Sequence, residues 1–367
     1  MRDRSVLISG AGIAGPTLAY WLVAYGFEPT LVERAPNIRA GGYVIDFWGL
    51  GYDIAEKMGL LPELKRRAYW VEELRFVNDR GRRVGGFGVD VFRKMTGGRY
   101  ISLPRSDLAA AIYHAIEKRC EIFFDDSVAT IDNALDSVIV TFERTPARKF
   151  GAVVGADGLH SAIRKIAFGP EGRFEKYLGY SVAAFEAKGY RPRDEGIYVS
   201  YGEPGKQVAR FALRDDRTLF LIVFRTSNPV PHDIPAQKVL LNRALADAGW
   251  ECPQMLAALD RTEDLYFDAV SQIRLECWSR GSVALVGDAA FAPSLLAGQG
   301  SALAMTAAYI LAGEIAVAQG DYQSAFSRYE SVLRQFIDSK QRAAEQFAGS
   351  FAPKTRLGLS IRNQLSK

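Results

Sequence analysis

Two textures of apolar and polar positions alternate along the chain. In the first, a short unbroken apolar run meets glycines and then an apolar segment of helical length: Val6-Leu7-Ile8, a turn at Gly10, Pro16 to Tyr25, then Thr30-Leu31-Val32-Glu33. Unbroken apolar runs suit strands buried on both faces, so the order predicts a right-handed strand-helix-strand unit. The texture returns at Ala152-Val153-Val154, which ends at Gly155, and at "SVALVGDAA" after Arg280. Val138 to Phe142 alternates as a strand, and Arg105 to Lys118 predicts a helix entered from Pro104 with Ser106 as its cap.

The second texture runs from Phe174 to about Leu275. "SVAAFEA", "GIYVSYG", "VARFALR", "TLFLIVFRT" and "LYFDAVSQIRL" are β-branched and aromatic runs parted by Gly, Pro and Asp turns, with a helical insert near Ala236 to Ala248. These predict a mixed, mostly antiparallel sheet, and Leu74 to Val91, with "NDRG" at its centre, reads as a hairpin of the same sheet. Two helical patterns close the chain, Gly298 to Gln319 and Asp321 to about Gly349, followed by a break at Pro353 and a short basic tail. The fold class is therefore α/β. A discontinuous strand-helix domain takes 1–73, 92–173 and 276–320, a sheet domain takes 74–91 and 174–275, and a helical segment takes 321–367.

Composition narrows the function without naming it. With 367 residues and 48% hydrophobic content, the chain can bury one large or two coupled cores. Its 46 basic residues against 42 acidic ones are dispersed, which argues against a nucleic-acid partner. Cys120, Cys252 and Cys277 lie far apart and suit a reduced, cytoplasmic setting. His114, His160 and His232 are isolated, with no metal-ligand spacing. The apolar stretch Ala302 to Ala318 is interrupted by Glu314 and reads as a buried helix, with no membrane span.

The first turn carries chemistry. Gly10-Ala11-Gly12-Ile13-Ala14-Gly15 follows a strand and opens a helix, and Glu33 ends the next strand. Gly10 permits the tight turn, Gly12 lets a pyrophosphate approach the backbone, Gly15 lets helix and strand pack closely, and the helix N-terminus offers free N–H groups. Glu33 would take the ribose hydroxyls of an adenosine. These residues point to a dinucleotide and leave FAD and NAD open.

Two further segments bear on that choice. "GADGLHSAIR", Gly155 to Arg164, and "VGDAAFAPSLLAGQG", Val286 to Gly300, resemble the second and third fingerprints of the flavoprotein hydroxylases, in the same order and spacing. The chain thus resembles the class A FAD-dependent monooxygenases over nearly its whole length. "AGPTLAYWL", "IRAGGYVIDFWGLGYDIAEKMGL", "FDAVSQIRLECWSRGSVALVGDAAF" and "GQGSALAMTAAYILAGEIA" bring it nearest the tetracycline-destructase-like branch.

The resemblance implies FAD as cofactor and NADPH or NADH as a transient co-substrate. It also implies O2 as oxidant through a flavin C4a-hydroperoxide, an aromatic or polycyclic substrate including tetracycline-like molecules, and a monomer or homodimer. It places Asp288 at the ribityl chain and Gly298, Gln299 and Gly300 at the flavin pyrimidine edge, where a helix dipole would stabilise the reduced, anionic ring. Further cofactor contacts are implied at Ala14, Arg34, Arg105, Asp157 and Pro293, and Arg164 would bind backbone or the nicotinamide cofactor. Arg39, Tyr43 and Asp46 lie in a segment that runs near the flavin in the family. No catalytic acid–base residue stands out. Phe185, Tyr201, Phe211, Phe220 and Phe224 are candidate pocket aromatics, about half of which should face the substrate.

Two departures qualify the resemblance. Phe291 stands where the family often carries His, and Ala302 where it often carries Asn; Phe291 would add apolar wall beside the flavin. Two other functions stay open: a dehydrogenase or reductase of the same superfamily, and a non-enzymatic flavin binder.

Overall fold

The computed structural model describes residues 3–38, 42–134, 137–227, 230–231 and 233–365. The unbroken apolar runs do form the centre of a parallel sheet. Its order is Ser279–Arg280, Val283–Leu285, Ala152–Gly155, Ser5–Ser9, Glu28–Glu33, Glu121–Phe124, parallel throughout except at the two-residue edge. Val6, Leu7, Ile8, Val153, Val154 and Val283 are fully buried, as strands covered on both faces require. The helices Ala14–Ala24 and Gly300–Val317 pack together on this core. The latter is apolar enough by composition to cross a membrane, but half of it is buried within the protein against its neighbouring helices.

The second texture becomes a seven-stranded sheet in the order Tyr266–Ile273, Glu175–Lys188, Arg217–Arg225, Lys206–Ala212, Ile197–Glu203, Glu73–Val77, Arg83–Gly88. All pairs are antiparallel except Ile197–Glu203 with Glu73–Val77, so the expected hairpin does join this sheet. Alternation sorts its two faces. Phe185, Tyr201, Phe220 and Phe224 point outward into a core closed by the helices Ile234–Leu245 and Cys252–Leu259. Of the five candidate pocket aromatics, only Phe211 lies on the inner face, where it packs with Tyr43, Val44, Tyr69 and Tyr198. About half were expected inward; the other four lie on the outer face, because a strand's period fixes alternation and leaves its phase open.

A two-stranded ribbon, Val44–Trp48 against Tyr100–Pro104, lies between the sheets, and a small sheet, Val128–Ala134, Ser137–Phe142 and Arg148–Phe150, flanks the parallel one. The helix that follows the ribbon runs Arg105–His114 from Pro104 with no side-chain cap, so Ser106 lies within its first turn instead of capping it. The long helix Tyr322–Phe351 starts with Asp321 accepting the Ser324 amide. Its first half packs into the parallel-sheet core through Phe326, Tyr329, Leu333 and Ile337, and its last residue joins Ala352 against Tyr180, Val182 and Val270 of the seven-stranded sheet. The short basic tail after the break at Pro353 is itself helical, Arg356–Leu365. It docks on the inner face, where Arg362 reaches Gln207 and stacks over Phe76.

Candidate functional site

The three glycine-bearing turns converge because their backbones touch. Gly10, at φ +107, sits so close to the second turn that a methyl group there would lie 2.6 Å from the Ala156 carbonyl oxygen and 2.8 Å from the Asp157 Cα. A methyl on Gly15 would lie 2.0 Å from the Gly10 carbonyl oxygen, whereas one on Gly12 meets nothing within 4 Å. Gly10 and Gly15 therefore serve the protein's own packing, and Gly12 leaves a clear approach to the turn. Gly287 abuts the Ala14 methyl, which joins the first turn to the third. Ala14 is a buried packing contact here, at the first position of its helix.

Glu33 is in register with the first turn. Its Oε2 accepts the Ala11 amide at 2.8 Å and its Oε1 the Ala35 amide at 3.0 Å, so the carboxylate braces the loop while retaining lone pairs for a hydroxyl. Arg34 is exposed beside it. Arg39 lies outside the described residues.

Asp157 accepts from Ser161 Oγ at 2.5 Å and from the Ile163 amide at 3.1 Å, closing the second turn on the helix Ala162–Ala167. Burial pushes its carboxyl upward against those hydrogen bonds. Arg164 is fully buried and donates to the carbonyls of Ala289 and Leu159, so it binds backbone and locks the second turn to the third.

Asp288 opens the short helix Asp288–Phe291 behind Gly287, at φ +66. It has no hydrogen-bond partner among the described residues. Burial pushes its carboxyl above the ordinary range, the Arg105 guanidinium pulls it down, and Asp268 pushes it up again. Arg105 comes from the end of the ribbon, its amide bonded to the Tyr43 carbonyl. Tyr43 and Tyr266, with ring centroids 5.9 Å apart, share the field of Arg105 and Asp288, and burial raises both phenols.

Gly298, left-handed at φ +63, and Gln299 lead into the helix at Gly300. A methyl on Gly300 would come 4.0 Å from Asp288 Oδ1. Neither this helix nor Ala14–Ala24 has a side-chain cap or a carboxylate in its first turn, so both present bare N–H groups. A half-buried carboxylate without a partner among the described residues, an open glycine turn and two bare helix N-termini fit a dinucleotide with a polyhydroxyl chain, as FAD has.

Pro293 is buried, and its carbonyl accepts from Gln272 Nε2 at 3.0 Å. Gln341, buried on the long helix, donates to the carbonyls of Ile273, Phe291 and Ala292. Neither glutamine was foreseen, because a lone Gln in a strand or in an amphipathic helix carries no sequence signal. Phe291 packs into the core on Trp278, with centroids 4.7 Å apart, and does not serve as flavin wall. Ala302 lies tightly against Gly51, where a methyl would come 2.5 Å from the Ala302 Cα.

His160 also escaped the sequence reading. Its Nδ1 lies 2.7 Å from Glu171 and its Nε2 3.1 Å from Asp268 of the seven-stranded sheet. No group of His, Cys, Asp and Glu able to hold a metal occurs among the described residues.

Residues 3–335 match the family described as FAD binding domain. An uncharacterized protein of Mycobacterium tuberculosis is 39% identical over 351 residues, covering 92% of each chain. A flavin-dependent monooxygenase of Legionella longbeachae is 31% identical, covering all of this chain and 94% of its own. The crystal structure of tetracycline destructase Tet(55) superposes with a TM-score of 0.88 at 30% identity, covering all of this chain and 96% of its own.

Proposed function

Because the chain belongs to the FAD-binding-domain family of flavin-dependent monooxygenases, we propose that it hydroxylates an aromatic or polycyclic small molecule, tetracycline-like compounds included, with NADH or NADPH and O2 as co-substrates. The protein is a flavoenzyme with FAD as its cofactor. The division into a cofactor domain (1–73, 92–173, 276–320) and a substrate sheet (74–91, 174–275) belongs to this proposal, as does a cytoplasmic setting.

What supports the reading is Asp288 beside a bare helix N-terminus, in a chain whose second sheet carries an apolar inner face. When bound, FAD supplies the two-electron redox and oxygen chemistry. In the proposed roles, the turn at Gly10 to Gly15 and the N-terminus of Ala14–Ala24 bind the pyrophosphate, Glu33 and Arg34 the adenosine ribose, and Asp288 a ribityl hydroxyl. Gly298 to Gly300 aim the dipole of the long apolar helix at the ring, and Arg105 balances the Asp288 charge. Asp157 and Pro293 act through the backbone they hold in place. The inner face, with Val182, Ala184, Leu219 and Leu221, excludes water and offers a flat apolar floor.

The test is isotopic. The FAD-loaded protein is supplied with NADH or NADPH, a panel of aromatic and tetracycline-like compounds, and dioxygen labelled with heavy oxygen. One labelled oxygen atom in the product is expected. Oxidised product without label would favour a dehydrogenase, and flavin that neither nicotinamide reduces would favour a non-enzymatic binder.

A further inference from the structure

The bridge at His160 crosses from the second glycine turn to the seven-stranded sheet, and neither of its ends has a role in the cofactor placement given above. The ring Nδ1 faces Glu171 Oε1 and the Nε2 faces Asp268 Oδ1. A neutral imidazole donates from one nitrogen only, so two carboxylate partners call for the cationic ring, which donates from both. Its pKa, lifted to about 9 chiefly by the hydrogen bond to Asp268, keeps it in that form at neutral pH. Glu171 is met from its other side by Arg164, 3.7 Å away. The charge of His160 is therefore left for Asp268.

Asp268 reaches the cofactor turns from the sheet. It alternates with Phe267, which packs outward with the helices Ile234–Leu245 and Cys252–Leu259, and it shares the opposite face of its strand with Tyr266. Tyr266 meets Tyr43 at 5.9 Å between ring centroids, and the Tyr43 carbonyl holds the Arg105 amide. The same strand packs on the short helix that Asp288 opens. Asp268 accordingly acts on Asp288, Tyr43 and Tyr266 together, and its charge raises all three. In this group Asp268 and Asp288 are negative and Arg105 is positive. One further cation brings the sum to zero, and His160 is that cation.

We propose that His160 acts through Asp268 as a tuning residue for the flavin, cancelling the charge of that carboxylate so that the bound ring takes up electrons more readily. The proposal rests on the placement of FAD beside Asp288 and concerns only how easily it is reduced. Two electrons and one proton added to the ring leave it with one negative charge. An uncancelled Asp268 opposes that charge, and a His160 without Asp268 favours it. His160 is half exposed, so solvent weakens its field, and the effect is about threefold to tenfold in the equilibrium between oxidised and reduced flavin.

The test is the midpoint potential of FAD-loaded protein at pH 7, read from flavin absorbance in an electrode cell with a mediator dye. His160→Gln, which removes the cation, should shift the equilibrium threefold to tenfold toward oxidised flavin, about 15–30 mV lower for a two-electron couple. Asp268→Asn, which removes the anion, should shift it by a similar factor the other way. The double variant should return to within about twofold of wild type. A merely structural bridge would move both single variants in the same direction, because each breaks the same contact. Shifts of one sign, no shift in either, or loss of FAD from either single variant overturns the assignment. Asp288→Ala, titrated with FAD alongside, separates the causes: weakened binding there with unmoved potentials in the other variants would sink the His160 role and leave the cofactor placement standing, whereas full retention with unmoved potentials would sink both.

Discussion

The imidazole of His160 bridges Glu171, on its own side of the cleft, and Asp268, on the edge strand of the seven-stranded sheet, at 2.7 and 3.1 Å. One side chain thus ties the second fingerprint to the sheet that faces it. The hydrogen bond to Asp268 is the main cause that lifts the imidazole from its ordinary 6.5 to about 9, with Glu171 contributing and burial opposing. A pKa raised on folding stabilises the fold fully below the unfolded value and loses that contribution as pH rises through the folded one. His160→Gln should therefore lower Tm most near pH 6 and match wild type above about pH 9. The group is half exposed, so the largest gap should be about 1–2 °C. Thermal unfolding across that pH range checks the sign, and a gap that widened with pH would contradict it.

Gly12 and Gly15 should respond differently to the same methyl group. Gly15→Ala forces a carbon against the Gly10 carbonyl and should cost about 1–3 kcal/mol or more in urea unfolding. Gly12→Ala has open space in the protein, so the apoprotein should keep its stability while FAD binding weakens. Stability and flavin affinity measured side by side separate packing from ligand approach.

Asp288 has no hydrogen-bond partner among the described residues, and its carboxyl is raised by burial. Raised carboxyls destabilise a fold at pH values above their unfolded pKa, since ionisation then opposes burial. Asp288→Ala should leave the apoprotein Tm at pH 7 equal to wild type or higher, while FAD affinity drops about tenfold or more. Differential scanning fluorimetry with and without FAD would show both effects. Full flavin retention would mean that Asp288 does not hold the cofactor.

Gly51 and Ala302 mark the closest crossing of the helices Leu50–Lys57 and Gly300–Val317. Installing the family's usual residue through Ala302→Asn should destabilise by about 1–3 kcal/mol in urea unfolding, because the larger side chain must push those helices apart. A neutral result would show that the crossing can open freely.

Much of this fold was legible because its signals are local. Val6 to Ile8 followed by Gly10 announces a buried strand and a turn, and Glu33 marks the next strand end; a parallel core needs such runs. The phase of the second sheet was not legible: Phe185 and Phe211 are both aromatic strand residues, and only the helices near Leu241 and Met255 decide that the former points outward. Nor were Gln341 or His160 legible as fasteners, since the Gln341 bond to Phe291 spans 50 residues and the His160 contact with Asp268 spans 108. Phe291 misled for the opposite reason. A position taken for cofactor wall is occupied by core packing on Trp278.

The Gln341 clamp also bears on when the third turn is completed. The glycine turn near residue 10 emerges first during synthesis, but the Gln341 bonds to the carbonyls of Phe291 and Ala292 come from a side chain made roughly 330 residues later, about 20–60 s on at typical elongation rates. Until then the third turn has the bonds from Arg164, Gln272 and the Ile273 amide but lacks the Gln341 clamp. The third turn therefore reaches its final form only after nearly the whole chain has been made.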